Sequence, residues 1–295
     1  ALRRPRRPGW SLRTELVAGV MRGVVLRSRR RGIGWLREAQ DALQLPSPLA
    51  GRVRAERTER AGVPVLEVRP RAEEIASSIV HLHGGGYVIG RPEGYLDTLA
   101  RLALGVRARV WAVDYRLAPE HPFPAAHEDA LAVTREVLAR HAPAGAALCV
   151  ATLCALRDAG QPLPAAAALL CPWTDPLAAG GSMESHADAD FAERDVLVGW
   201  IRAAAGDTDP RDPRLTVQEA DLRGLPPLLI QAGGAEILLD SIRAFARRAR
   251  EAGVTVELCV WEEMFHDFQM AAAQLPQGAA AIEEVVAFLR ARLAG

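Results

Sequence analysis

The sequence predicts an α/β chain, with a mostly parallel, doubly wound sheet and a helical cap. From residue 62 onward, short β-branched runs alternate with longer stretches of helical periodicity. Runs such as Ile79-Val80 and Val110 to Val113 are apolar almost throughout, as strands covered on both faces should be. The 295 residues, 49% hydrophobic and 24% charged, can bury one large core and fall within the size of a single α/β domain.

The elements follow in order. Residues 11–45 predict one or two helices, with Leu12, Leu16, Val20 and later Trp35, Leu36 and Ala39 at helical spacing and arginines between them. Pro46 and Pro48 close that segment. Strands are predicted over 62–68, 77–83, 108–115, 166–171, 227–233 and 254–261. Helices are predicted over 95–104, 125–140, 148–158, 237–252 and 279–293. A loop-rich stretch, 172–213, carries Trp173, Met183, Phe191 and Trp200 and is the candidate cap insertion. The expected division is therefore 1–50 as an N-terminal helical part of the cap and 51–295 as the α/β domain that the insertion interrupts.

One step in the alternation fails. The helix ending near Arg140 is joined to the one starting near Leu148 by only residues 141–147, with no strand between them. Two successive crossover helices cannot return the chain to a parallel sheet without a strand.

Charge and cysteines narrow the function classes. Net charge is zero, yet residues 1–40 hold eleven arginines against Glu15 and Glu38, giving +9, so the rest carries −9. All 36 basic residues are arginine. The basic start admits contact with a membrane surface or with nucleic acid, but is taken as a solvated helical face with arginine tails. No nucleic-acid partner is expected. The run Leu16 to Leu26 follows a basic segment as a signal peptide would, but Arg22 interrupts it and no small-x-small cleavage site follows closely. No stretch approaches 18 apolar residues, so no membrane span is expected and the location expected is cytoplasmic. Cys149, Cys154, Cys171 and Cys259 lie in apolar runs without CxxC spacing and are expected to be buried free thiols. Oligomeric state stays open, a homodimer included.

The chemistry gathers at strand ends. His83-Gly84-Gly85-Gly86-Tyr87 ends the second predicted strand. Three glycines let bare N–H groups approach a ligand, as stabilising an oxyanion requires, though a glycine turn that merely ends a strand fits equally well. His81 and His83 share one strand face and could be imagined as metal ligands, but no third ligand is evident, so no metal is expected. His121, His127, His141 and His186 are taken as surface or structural.

Thirty residues further on, Asp114-Tyr-Arg-Leu-Ala-Pro-Glu-His-Pro-Phe-Pro-Ala-Ala126 resembles the hormone-sensitive-lipase (bacterial family IV) branch of the α/β-hydrolases, whose members pair an HGGG loop with this segment. Pro172-Trp-Thr-Asp175, Gly224-Leu-Pro-Pro227 and Met264-Phe-His-Asp-Phe268 extend the resemblance from about residue 60 to the C-terminus. It implies an α/β-hydrolase fold and a cofactor-free carboxylesterase or lipase acting on a small-molecule ester. It also implies short-to-medium acyl esters or small lactones as substrates, His266 as general base, and Glu236 as the acid orienting it, with Asp240 as the alternative acid. Gly85 and Gly86 would donate the oxyanion N–H groups, with His83 and Gly84 shaping the loop.

The nucleophile is missing. Family members carry serine in G-x-S-x-G, usually G-D-S-A-G-G, on a strand-to-helix turn, and none of the eight serines here has glycine two residues away on both sides. The gap falls where the alternation fails, so a whole strand-and-elbow unit is absent between Ala142 and Leu148. Three explanations stand: about a dozen residues of the parent protein omitted from the sequence, a real deletion giving a dead hydrolase-fold binding protein, or Cys149 as replacement nucleophile. Cys149, between Leu148 and Val150, reads as buried and inert. Loss of a central strand should cost more than the roughly 5–15 kcal/mol that holds a domain folded, which favours omission.

Overall fold

The computed structural model describes residues 7–43, 47–72, 74–75, 77–139, 147–177 and 180–293. Its elements in chain order are α1 (Leu12–Ala42), β1 (Val53–Arg60), β2 (Val63–Pro70), β3 (Ser77–Leu82), α2 (Leu96–Val106), β4 (Ala108–Val113), α3 (Ala125–Leu138) and α4 (Ala147–Asp158). There follow β5 (Ala167–Leu170), α5 (Ser182–Ser185), α6 (Arg194–Ala205), β6 (Leu228–Gly233), α7 (Leu239–Glu251), β7 (Val256–Trp261) and α8 (Pro276–Leu293).

Every predicted strand is present, and one is added. β1 pairs antiparallel with β2 through a two-residue turn at Ala61 and Gly62, both at positive φ. Its sequence, VRAERTER, lacks apolar alternation because only Val53 turns to the core, so periodicity gave no signal. α1 is one helix broken at Gly32, whose φ of 81° interrupts it and accounts for the uncertain helix count over 11–45. Arg107, in the left-handed region, stops α2 one residue before β4 begins.

β4 shows how both faces are covered. Val110 and Ala112 pack with Leu99, Ala103, Ile282 and Val285 from α2 and α8. Trp111 and Val113 face the opposite core, with Val133, Leu153 and Phe245 from α3, α4 and α7. Residues that alternate between two cores have no polar face, which is why the run Val110–Val113 is continuously apolar.

The strands form two separate ladders among the described residues. Four strands run in the order β1-β2-β4-β3 and three in the order β5-β6-β7, with no pairing between β3 and β5 among the described residues. β3 and β4 are parallel, as are β5, β6 and β7, while β2 is antiparallel to both β1 and β4. The break falls where the alternation fails in sequence. The two halves still share both cores: Val80 and Leu82 pack in one cluster with Leu169 and Ile230, and Ile79 packs in the other with Ala168 and Leu229. The joining residues 140–146, which include His141 and most of the expected elbow position, lie outside those described.

Candidate active site

Three loops at strand C-termini meet at a cavity of about 840 Å³. From β3 comes the His83–Tyr87 turn. Gly85 and Gly86 take φ of 114° and 57°, and a Cβ on Gly85 would lie 2.2 Å from the carbonyl oxygen of Ile89. Only glycine fits there. The carbonyl of Gly85 accepts from the N–H groups of Val88 and Ile89, while the N–H groups of Gly85 and Gly86 meet no acceptor among the described residues. The turn is fixed from behind by Tyr115, whose hydroxyl donates to the His83 carbonyl at 2.7 Å and whose ring stacks on the imidazole at 4.1 Å. The Tyr95 hydroxyl accepts from the Gly84 N–H at 3.1 Å.

His81 and His83 are thus packed against Tyr95 and Tyr115. Burial lowers their pKa values to about 3 and about 4, keeping both rings neutral. They join no cluster of metal-binding groups among the described residues.

The β7 turn carries His266 and the β6 turn carries Glu236. His266 Nδ1 lies 3.8 Å from Glu236 Oε1, and Glu236, fully buried, uses its other oxygen to accept from the Gly233 N–H at 2.8 Å. Neither Nδ1 nor Oε1 has a hydrogen-bond partner among the described residues, and the two face each other across a gap slightly too long for one. Glu236 stands before the helix rather than in its first turn, since α7 starts at Leu239 and not at 237. Asp240, the alternative acid, does not reach His266. It accepts from the Ser182 N–H at 2.8 Å and so ties α7 to the start of α5.

Two carboxylates that sequence did not single out complete the cluster. Asp190, fully buried, accepts from the N–H groups of Phe191 (2.7 Å), Ile237 (2.8 Å) and His266 (3.3 Å), pinning the two catalytic-type turns to each other. It sits in the segment HADADF, where no spacing marks one aspartate over another. Asp267 lies within the FHDF motif and places Oδ2 3.6 Å from His266 Nε2, the nitrogen a nucleophile's hydroxyl would need. Burial alone would lower the His266 pKa, but Asp267, Glu236 and Asp190 outweigh it and hold it up to about 10. Asp190 itself is pushed up to about 6 by burial, and burial likewise raises Asp267. The three carboxylates thus favour the protonated ring over the neutral one. Cys171 Sγ joins His266 and Asp267 within 4.8 Å, a donor set a divalent ion could accept, although burial keeps the thiol well above its usual pKa.

Trp173, Phe191 and Trp200 line the cavity, as do Leu16, Val20 and Leu36 of α1 and Leu197 of α6. Met183 does not; it is packed in the core beneath. Cys149 is buried inside α4 in the same core and is not a lining residue, whereas its neighbour Leu148 is. Cys154 and Cys259 are half-buried rather than buried, and none of the four cysteines forms a disulfide among the described residues. His127 stacks on Tyr87 and meets the Arg214 carbonyl, and His186 Nδ1 meets the Glu236 carbonyl, both structural contacts.

The cavity also reaches between the two half-sheets. Ile79, His81 and Leu82 of β3, Ala168 and Leu170 of β5, and Ile282, Val285 and Leu289 of α8 all line it. Neighbouring strands stand about 4.8 Å apart, so a sheet missing one strand leaves a slot of this kind, floored by the helix beneath.

The chain matches the family described as alpha/beta hydrolase fold over residues 79–270, more than half its length. It belongs to the α/β-hydrolase family. An acetyl-hydrolase of Streptomyces hygroscopicus is 42% identical over 240 residues, covering 76% of this hydrolase-family chain and 78% of that protein. The putative acetyl-hydrolase LipR of Mycobacterium tuberculosis is 30% identical over 296 residues, with 96% of each chain covered. A crystal structure of an esterase from the bacterial hormone-sensitive lipase family superposes with a TM-score of 0.90 at 36% identity, covering 97% of this chain and 99% of that one. The resemblance to the hormone-sensitive-lipase branch thus extends to the whole fold. An alignment of 296 positions that uses only 96% of 295 residues also requires gaps in this chain, so the Mycobacterium relative carries residues with no counterpart here.

Proposed function

We propose that this fold hydrolyses carboxylic esters by acyl transfer to a serine, and that the serine belongs to a strand-and-elbow unit absent from the 295 residues. The observation that carries this is the convergence of His266, backed by the buried Glu236, and the Gly84–Gly86 turn on one apolar cavity. A serine delivered by a strand between β3 and β5 would attack the ester carbonyl. His266 would take its proton and return it to the leaving alcohol, Glu236 would hold the ring through Nδ1, and the free N–H groups of Gly85 and Gly86 would bind the oxyanion. α1 and residues 172–213 act as the cap, and the surfaces of Trp173, Phe191, Trp200 and Leu197 suit the acyl part of short-to-medium esters or small lactones. The acetyl-hydrolase and esterase relatives support the same substrate class.

A second reading, a non-catalytic binding protein, has its own observation: no serine among the described residues lines the cavity. Two proteins assayed side by side separate the readings. The 295-residue chain should neither label with a fluorophosphonate probe nor hydrolyse p-nitrophenyl butyrate. A chain with a β-strand ending in G-D-S-A-G-G inserted before Leu148 should do both. If that restored chain folds, judged by circular dichroism and a cooperative melt, and still fails to label, the hydrolase reading is refuted.

A further inference from the structure

The exposed large apolar side chains among the described residues all lie on α1 or directly after it: Leu12 (74% exposed), Leu16 (68%), Val20, Leu26 and Leu43. Leu12, Leu16 and Val20 follow at four-residue intervals and form one stripe. With Glu15, Gly19, Val24, Arg27 and Leu43 they border a shallow surface groove. This is not the solvated polar face that the arginine content suggested.

The arginines share the face. At about 100° per residue, Arg13, Arg27, Arg30 and Arg31 project within about 100° of Leu12 on the side of Leu16 and Val20, while Arg22 and Arg29 turn about as far the other way, and the first four are all exposed. None of them pairs with a carboxylate among the described residues. Arg22 and Arg29, on the flank turned toward α6, pair with Glu193, and Arg37 beyond the kink pairs with Glu120. The acidic partners Glu193 and Glu120 are thus spent where α1 docks on its own protein, and the outward face, Glu15 apart, is apolar and cationic.

We propose that this face of α1 docks on an anionic lipid surface. The helix would lie flat in the headgroup layer, with Leu12, Leu16 and Val20 inserted and the arginine heads reaching lipid phosphates while their stems cover apolar surface. No helix among the described residues is long and apolar enough to cross a membrane, so the contact lies on the bilayer and does not span it. A second copy of the chain fits poorly, because a two-fold pairing sets each patch against itself and would bring the same unpaired arginines together. Leu16 and Val20 also line the cavity that holds His266, so the docked face turns the cavity toward the lipid.

The test is co-sedimentation with vesicles of mixed phosphatidylcholine and phosphatidylserine, against phosphatidylcholine alone, at low and high salt. The expected result is binding to the anionic vesicles only, weakened as salt shortens the Debye length. At roughly fivefold per arginine, a triple variant of Arg27→Gln, Arg30→Gln and Arg31→Gln should bind about a hundredfold more weakly. Leu12→Gln with Leu16→Gln should also weaken binding, whereas Arg223→Gln, in the turn before β6, should not. Because the changed side chains are exposed, unaltered circular dichroism and melting will show that the variants stay folded. No binding to anionic vesicles, equal binding to neutral ones, or insensitivity to both sets of substitutions overturns the proposal. So does a concentration-dependent dimer that the leucine substitutions dissolve.

Discussion

Glu236→Gln tests which carboxylate governs His266. The two side chains are 3.8 Å apart and Glu236 is fully buried. Unit charges at that separation, in an effective dielectric of about 20, interact with about 4 kcal/mol, equivalent to about three pKa units. Glutamine keeps the shape and the oxygen that accepts from Gly233 but removes the charge that favours imidazolium. The His266 pKa, held up to about 10 in the parent chain, should therefore fall by about two to three units, with Asp267 and Asp190 still retaining part of the rise. Nitrogen-edited NMR of the imidazole across the neutral-to-alkaline range reads the midpoint directly. Asp240→Asn, which alters a contact to Ser182, should leave it in place. A midpoint still near 10 in the glutamine variant, or an equal shift in the asparagine one, refutes the assignment of Glu236 as the partner of His266.

The same group makes stability depend on pH. His266 binds its proton more tightly folded (pKa about 10) than in its ordinary state at 6.5, so its contribution is fully present below about 6.5 and is lost as pH rises through 10. Melting temperature should fall from neutral to alkaline pH, and His266→Gln should flatten that slope; an unchanged slope would contradict the cluster. Gly85→Ala, at positive φ and against the Ile89 carbonyl, should cost at least about 2 kcal/mol in urea unfolding, whereas Gly94→Ala, with nothing within 4 Å, should cost under about 1. Cys149 should stay unmodified by iodoacetamide in the folded chain, and Cys149→Ala should cost only about 1–2 kcal/mol; rapid native-state alkylation would reopen its candidacy as nucleophile.

Most of the fold is legible in sequence because strands buried on both faces announce themselves by composition. β4 and β6 are the clearest cases, and even the break before α4 shows as an arithmetic failure of alternation. β1 does not show: it is an edge strand whose outward side chains are charged, and its register is set by a turn and by β2. At the site, His266, Glu236 and the glycine turn are legible because each sits in a short motif at a strand end. Asp190 is not, because its role comes from gathering N–H groups out of three separate stretches of chain. Asp267 belongs to a recognisable motif, but its place opposite Nε2 depends on a backbone at positive φ that sequence does not declare. The exposure of Leu12 and Leu16 is hidden for a related reason, since helical periodicity marks an apolar stripe without saying whether anything covers it.

The slot between β3 and β5 also has a volumetric consequence. Unfolding lets water into internal space that the folded chain cannot fill, and the volume lost on unfolding grows with the void eliminated. A protein with a strand-wide slot above α8 should therefore unfold under hydrostatic pressure more readily than a relative whose sheet is continuous, even where the two melt at similar temperatures. Pressure, which weighs volume and not hydrogen bonds, singles out the missing strand as a hole in the molecule.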